Sequence, residues 1–207
     1  MIVITADQID SRTTPDVAGE AIEFVNGRFS DRLLLAAERT AGDEIQALVD
    51  SGQAALDIAL ALTRSRRWSV GIGIGAVREP LGRGIRESTG DAFVSARSAV
   101  ERAKKRPTRF ALVSLAAPAR AAEVEALVDL LLVLRARRTE QGWEMRDLIS
   151  RGLTQADAAV ELGITPQSAS KRVRTADLRA EDAAIAPLAA LVDSLDAESG
   201  GSARGDK

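Results

Sequence analysis

The chain of 207 residues has no cysteine and no histidine. Without cysteine there is no disulfide, no thiolate zinc site and no cysteine nucleophile, a composition that suits a reducing cytosol. Without histidine, Ser-His-Asp catalysis and imidazole-bound metals are excluded. Carboxylates are then the only strong side-chain metal ligands, and they favour hard cations such as Mg²⁺, Mn²⁺ or Ca²⁺. The start of the chain lacks a basic segment followed by an apolar core, so no signal peptide is read and a cytoplasmic location is expected. The longest apolar runs, AALDIALAL and ALVDLLLVL, are too short and too interrupted by charge to span a bilayer, and no membrane partner is expected. A formal net charge of −2 offers no global attraction for nucleic acid, so any such partner must be met by a local basic patch.

An apolar fraction of 45% and a charged fraction of 28% are ordinary for a globular protein, and the length suits two modules. MIVIT at 1–5 reads as a buried strand. From Pro15 to Phe29, Val17, Ala21, Phe24, Val25 and Phe29 recur at helical spacing, with Pro15 in the first turn. RLLLAAERT and DEIQALV flank Ala41-Gly42 and predict a hairpin. A capped, mostly buried helix follows over 51–67, then the strand WSVGIGIGAV at 68–77. Alternating Gly71, Gly73 and Gly75 imply that one face of that strand lies against something too close for side chains, a packed helix or a ligand, with packing preferred. A helix over 90–106 and a strand over 109–115 complete the order β-α-β-β-α-β, then α-β. Its first six elements predict the split βαβ unit of the ferredoxin-like fold, an antiparallel sheet with helices on one face. Strand 1 is expected beside the strand that enters the hairpin, which brings Asp7 and Asp43 to one edge.

The expected α+β organisation is a first domain over 1–117, a helical domain over 118–196 and a flexible polar tail over 197–207. The long helical pattern from Pro118 is expected to break near Gly142 and end near Ser150. Over 151–178 the spacing changes to that of a helix-turn-helix: a helix from Thr154 to Leu162, Gly163 in the turn, and Thr165-Pro166 opening a second helix. Small Ala158 and Ala159 suit a close crossing, with Val173 on the inner face. Lys171, Arg172 and Arg174 are positioned to meet phosphates. Gln167, Ser168, Ser170, and Thr154 and Gln155 on the first helix, complete the candidate interface with double-stranded DNA.

The second candidate is acidic. Two-metal chemistry needs carboxylates held near one point, and Asp7 and Asp43, helped by Glu44 and Asp10, are the candidates for Mg²⁺ or Mn²⁺. Arg12, Arg97 and Lys104 are the candidate phosphate contacts of a nucleotide ligand. The competing reading makes these aspartates ordinary loop and turn residues. Leucine-rich 124–134 is read as core or as a homodimer face.

TADQIDSR, GDEIQALV, the GIGIG strand, GDAFVSAR and the terminal helix-turn-helix together resemble the SatD family of bacterial proteins over nearly the whole chain. More distantly, AGDEI, VGIGIGAV and AFVSARSAVERAKK resemble palm-type nucleotide cyclases with GGDEF hairpins. That likeness implies Asp7 as the strand-1 metal ligand, Asp43 as the hairpin ligand and Lys104 as a phosphate-facing lysine. Ala41 stands in place of the first glycine of the hairpin signature and Ile45 in place of its phenylalanine, and the product-inhibition motif is missing. Two function classes follow: a DNA-binding transcriptional regulator whose first domain dimerises or senses a nucleotide, and a metal-dependent nucleotidyl transferase or cyclase using Asp7 and Asp43. An interaction scaffold is the third.

Overall fold

The computed structural model describes residues 1–202. Among the described residues five strands and eight α-helices follow one another: β1 (Ile2–Gln8), α1 (Ala18–Phe29), β2 (Leu35–Ala41), β3 (Glu44–Val49), α2 (Gly52–Arg64), β4 (Trp68–Ile74), α3 (Asp91–Ala103), β5 (Phe110–Ser114), α4 (Pro118–Ala136), α5 (Glu140–Ser150), α6 (Gln155–Glu161), α7 (Pro166–Thr175) and α8 (Leu178–Ser202). This is the expected α+β class and order. The chain forms two compact units, one of Met1–Asp129 with the stretch from Pro187 onward, the other of Leu130–Ala186. The expected division at 117/118 therefore differs from the observed units, because the first half of α4 and the second half of α8 belong to the first unit. Of the tail expected over 197–207, residues 197–202 continue α8, and 203–207 lie outside the described residues. No described helix is long and apolar enough to cross a membrane.

The sheet of the first unit has the order β2-β3-β1-β4-β5. β1 is antiparallel to both β3 and β4, and β5 adds in parallel to β4. The first four strands reproduce the split βαβ arrangement. One expectation is corrected: β1 lies beside β3, the strand leaving the hairpin, not beside β2. In a split unit the strands joined through α1 leave a gap, and the hairpin returns β3 into it.

Period-two alternation sorts β1 into two faces. Val3, Thr5 and Asp7 share a face with Leu48, Gln46 and Glu44 of β3 and with Gly73, Gly71 and Ser69 of β4, their direct partners. α3 packs on that face. A Cβ on Gly73 would lie 2.0 Å from the Ala96 nitrogen and 2.3 Å from the Ala92 carbonyl oxygen, and one on Gly71 would lie 2.3 Å from the Val100 nitrogen. The glycines thus admit a helix backbone, the preferred of the two readings. The alternate residues Ile2, Ile4, Ala6, Val70, Ile72 and Ile74 are buried on the opposite face, and α2 packs on β1 and β4 beside α1. Helices accordingly cover both faces rather than one, because the glycine channel makes room for a second layer.

Both sheet edges are occupied by side chains. At a bulge in β2, the Asn26 amide donates to the Ala37 carbonyl and accepts from the Ala37 N–H, and the Arg86 guanidinium donates to the Arg39 carbonyl. On β5 the Leu112 N–H donates to the buried Glu125 carboxylate at 2.7 Å. Such plugs remove the free donors and acceptors through which sheets associate. Local chemistry also moves two helix ends. Gln8 accepts from the Val17 N–H and donates to the Pro15 carbonyl, so 15–17 are tied to β1 and α1 starts at Ala18, not Pro15. The break after α4 falls at 137–139, where Thr139 caps α5. Gly142 sits inside α5 because its missing side chain leaves room for Ala176, whose Cβ would be 2.9 Å from an added Cβ.

Candidate functional site

In the second unit α5, α6 and α7 pack around Met145, Leu148, Ala158, Ala159, Ala169, Val173 and Ala176, with Leu162 and Ile164 against them. The helix-turn-helix has the form its spacing predicts. Thr154 caps α6 and closes a capping box: its hydroxyl accepts from the Asp157 N–H at 3.2 Å, and the Asp157 carboxylate accepts from the Thr154 N–H at 3.2 Å. The Thr154 hydroxyl and then its N–H hold the Asp157 carboxyl below the usual carboxylate range. Gly163 turns the chain at φ +61°, in the left-handed region that glycine takes without strain. Thr165 caps α7 through the Ser168 N–H, and Pro166 occupies its first turn.

The predicted DNA-facing residues separate into two groups. Gln167, Ser170, Lys171 and Arg174 are exposed. At positions i, i+3, i+4 and i+7 they form one stripe along α7, opposite buried Ala169 and Val173. The others are already engaged. Arg172 is half-buried and donates to Glu144 of α5 at 3.0 Å, Ser168 accepts from the Thr165 hydroxyl at 3.0 Å, Thr154 is spent on its cap, and Gln155 is half-buried. Glu144 and Asp157 were not singled out from sequence. The T-x-x-D spacing of a capping box could have found Asp157, whereas nothing local points to Glu144.

Behind α7 lies a buried charged cluster. Glu181 of α8 accepts from both Arg135 and Arg138, and the Arg138 Nε–H donates to the Ala176 carbonyl at the end of α7, at 3.0 Å. The side chains of Arg138 and Glu181 are fully inaccessible. Both guanidinium carbons stand against the Trp143 ring, at 4.4 and 4.9 Å from its centroid. Burial pulls the Arg135 guanidinium below its ordinary value, and Glu181 opposes that shift.

In the first unit the acidic candidates divide between paired strands and turns. Asp7 is the direct cross-strand partner of Glu44, and Asp43 sits in the adjoining turn. They are not uncompensated charges. Lys104 lies 2.8 Å from Asp7 and 2.9 Å from Glu101, while Arg97 and the Thr40 hydroxyl donate to Glu44 at 2.5 and 2.7 Å. Burial works to lower the Lys104 pKa, but the hydrogen bonds to Asp7 and Glu101 outweigh it and leave it raised. Asp43 lies in the field of Arg39, and Asp10 is exposed with its carbonyl accepting from the Thr13 and Thr14 N–H groups. Two of the three candidate phosphate contacts thus neutralise the carboxylates, and Arg12 alone is left exposed without an ion pair among the described residues. The fit to Mg²⁺ or Mn²⁺ is poor: among the described residues no group of three or more acidic side chains is gathered to hold a metal ion.

No family model and no curated protein sequence matches the chain. A structural likeness is found to a regulator of polyketide synthase expression from Bifidobacterium adolescentis, at 14% identity and a TM-score of 0.27, covering 94% of this chain and 78% of that one. Agreement at that level defines no shared fold and supplies no argument about function.

Proposed function

We propose that this protein is a DNA-binding transcriptional regulator, of the kind its resemblance to the SatD family implies, with α7 as the recognition helix in the major groove of double-stranded DNA. The observation that carries this reading is the stripe Gln167, Ser170, Lys171 and Arg174, exposed and without an ion pair among the described residues, on a helix without a single acidic residue, held by two caps and a small-residue core. Gln167, near the N-terminus of α7, reaches base edges; Lys171 and Arg174 meet phosphates. Arg172 is a positioning residue tied to Glu144. A single helix-turn-helix offers few base contacts, and a homodimer reading half-sites about 34 Å apart doubles them. Leu130 and Val133, exposed along α4 by 67% and 42%, are the proposed dimer contacts. The rival reading, a metal-dependent transferase on Asp7 and Asp43 with a nucleotide ligand, gains no observation of its own, since Asp7 and Glu44 are already matched by cations.

The test is selection of duplexes from a randomised pool at low salt, followed by a salt titration. Lys171→Ala with Arg174→Ala should lower the log-log slope by about two units. Absence of any selected duplex, or wild-type binding by the double variant, overturns the reading. A monomeric mass at tens of micromolar with a non-palindromic footprint removes the dimer.

A further inference from the structure

β4 and β5 run in parallel with Val70 opposite Phe110, so the segments leading into them, 64–67 and 102–109, meet at one end of the sheet. The outgoing end of β1 joins them. Gln8 stands opposite Trp68, the Ile9 N–H donates to the Arg67 carbonyl at 2.8 Å, and the Val70 N–H donates to the Arg109 carbonyl at 2.8 Å. The two segments read RSRR and RAKKRPTR: eight basic residues and no acidic one, in a chain whose net charge is −2. The charge is concentrated where three loops come together.

Structural needs account for part of it. Asp7 and Glu101 hold Lys104, Glu125 holds Arg102 and Arg106, and Asp129 also holds Arg106. The C-termini of α2 and α3 point to this end and together present about one unit of negative charge. Cations remain beyond these. Arg67 and Lys105 are exposed, Arg12 is exposed in the loop after β1, and half-buried Arg109 gives its guanidinium to the Lys104 carbonyl. None of these four pairs with a carboxylate among the described residues. Exposed Asp10, in the loop of Arg12, and exposed Glu101, in whose field Lys105 stands, are acidic neighbours that oppose them. Arg66 and Arg109 also hold left-handed backbone at φ +57° and +54°, where glycine or asparagine is the less strained choice. Cationic side chains stand where the backbone disfavours them.

We propose that this end of the first unit binds the phosphate backbone of a nucleic acid through Arg12, Arg67, Lys105 and Arg109, as a contact surface separate from the helix-turn-helix. The cations are spread over three loops, which suits a repeating row of phosphates rather than one enclosed anion. No exposed large apolar side chain lies in the two basic segments to enter a bilayer.

The experiment uses the full chain and labelled random-sequence DNA, single- and double-stranded, followed by anisotropy from about 50 to 200 mM salt. Arg12→Ala, Arg67→Ala and Lys105→Ala are combined, leaving Arg109 because it holds the Lys104 carbonyl; an unchanged thermal midpoint confirms the fold. The log-log slope should fall by about two to three units, near 0.9 for each phosphate that is no longer neutralised. In Lys171→Ala/Arg174→Ala a salt-dependent component should persist that the triple change removes. A folded triple variant with the wild-type slope overturns the proposal. So does displacement of DNA by inorganic tripolyphosphate at equal phosphate, which assigns the surface to a small free anion, or binding to anionic vesicles without binding to DNA. Loss of all binding in the triple variant alone sustains this surface and removes the helix-turn-helix reading.

Discussion

Glu181→Gln tests whether the buried cluster holds the helix-turn-helix together. Glu181 accepts from both Arg135 and Arg138, and the Arg138 side chain is fully inaccessible while that of Arg135 is 10% exposed. Neutralising Glu181 takes the shared carboxylate from two neighbouring buried guanidiniums, while the Trp143 ring and the Ala176 carbonyl stay against them. Removing one partner of such a buried pair costs about 3–5 kcal/mol. Against a domain stability of about 5–15 kcal/mol, that is a large fraction. The opening equilibrium of the unit should rise by between about a hundred- and a few-thousand-fold. Hydrogen exchange of the α5, α6 and α7 amides reads this directly, with β1 and β4 amides as the internal reference. DNA binding should weaken in parallel, although no residue of the exposed stripe has changed. A second variant separates electrostatics from packing: Arg135→Met, Glu181→Met and Arg138→Met together remove these three charges at similar volume. It should recover most of the loss, short of about 1 kcal/mol for the Ala176 carbonyl left without its donor. A Glu181→Gln effect under about 1 kcal/mol, or an apolar triple as unstable as the single change, would refute the reasoning.

Gly73→Ala should destabilise the first unit by about 1–3 kcal/mol or more, because the Ala96 nitrogen, 2.0 Å from the added Cβ, belongs to helix backbone that must move bodily; a midpoint unchanged in urea would contradict the packing. Gly42→Ala has open space around its Cβ and meets only the left-handed φ of +57°, so its cost should be smaller. The Asp157 carboxyl is held low, so its contribution is present above the unfolded value and is lost as the pH falls through the lower folded value. Exchange protection of the first turn of α6 should therefore drop at acid pH in the wild type, and Asp157→Asn should flatten that dependence.

Much of this architecture is written in local patterns. Strand and helix order follows from period-two and period-3.6 spacing; the helix-turn-helix follows from Thr154, Gly163 and Thr165-Pro166, whose caps and positive φ are satisfied within a few residues of each. Even the alternating glycines Gly71, Gly73 and Gly75 announced a close neighbour, since absent side chains along one face leave room for one. Partners were another matter. That Asp7 faces Glu44 depends on the register of β1 against β3, and that Lys104 and Arg97 neutralise them depends on where α3 crosses the sheet. Arg172 and Arg174 are equally basic in the sequence, yet one turns to Glu144 and the other to solvent. The residue types and local spacing determined the elements and their turns, because those depend on nearest neighbours along the chain. Which charges remained available to a ligand was decided only by tertiary structure, because an ion pair forms between groups that sequence distance does not relate.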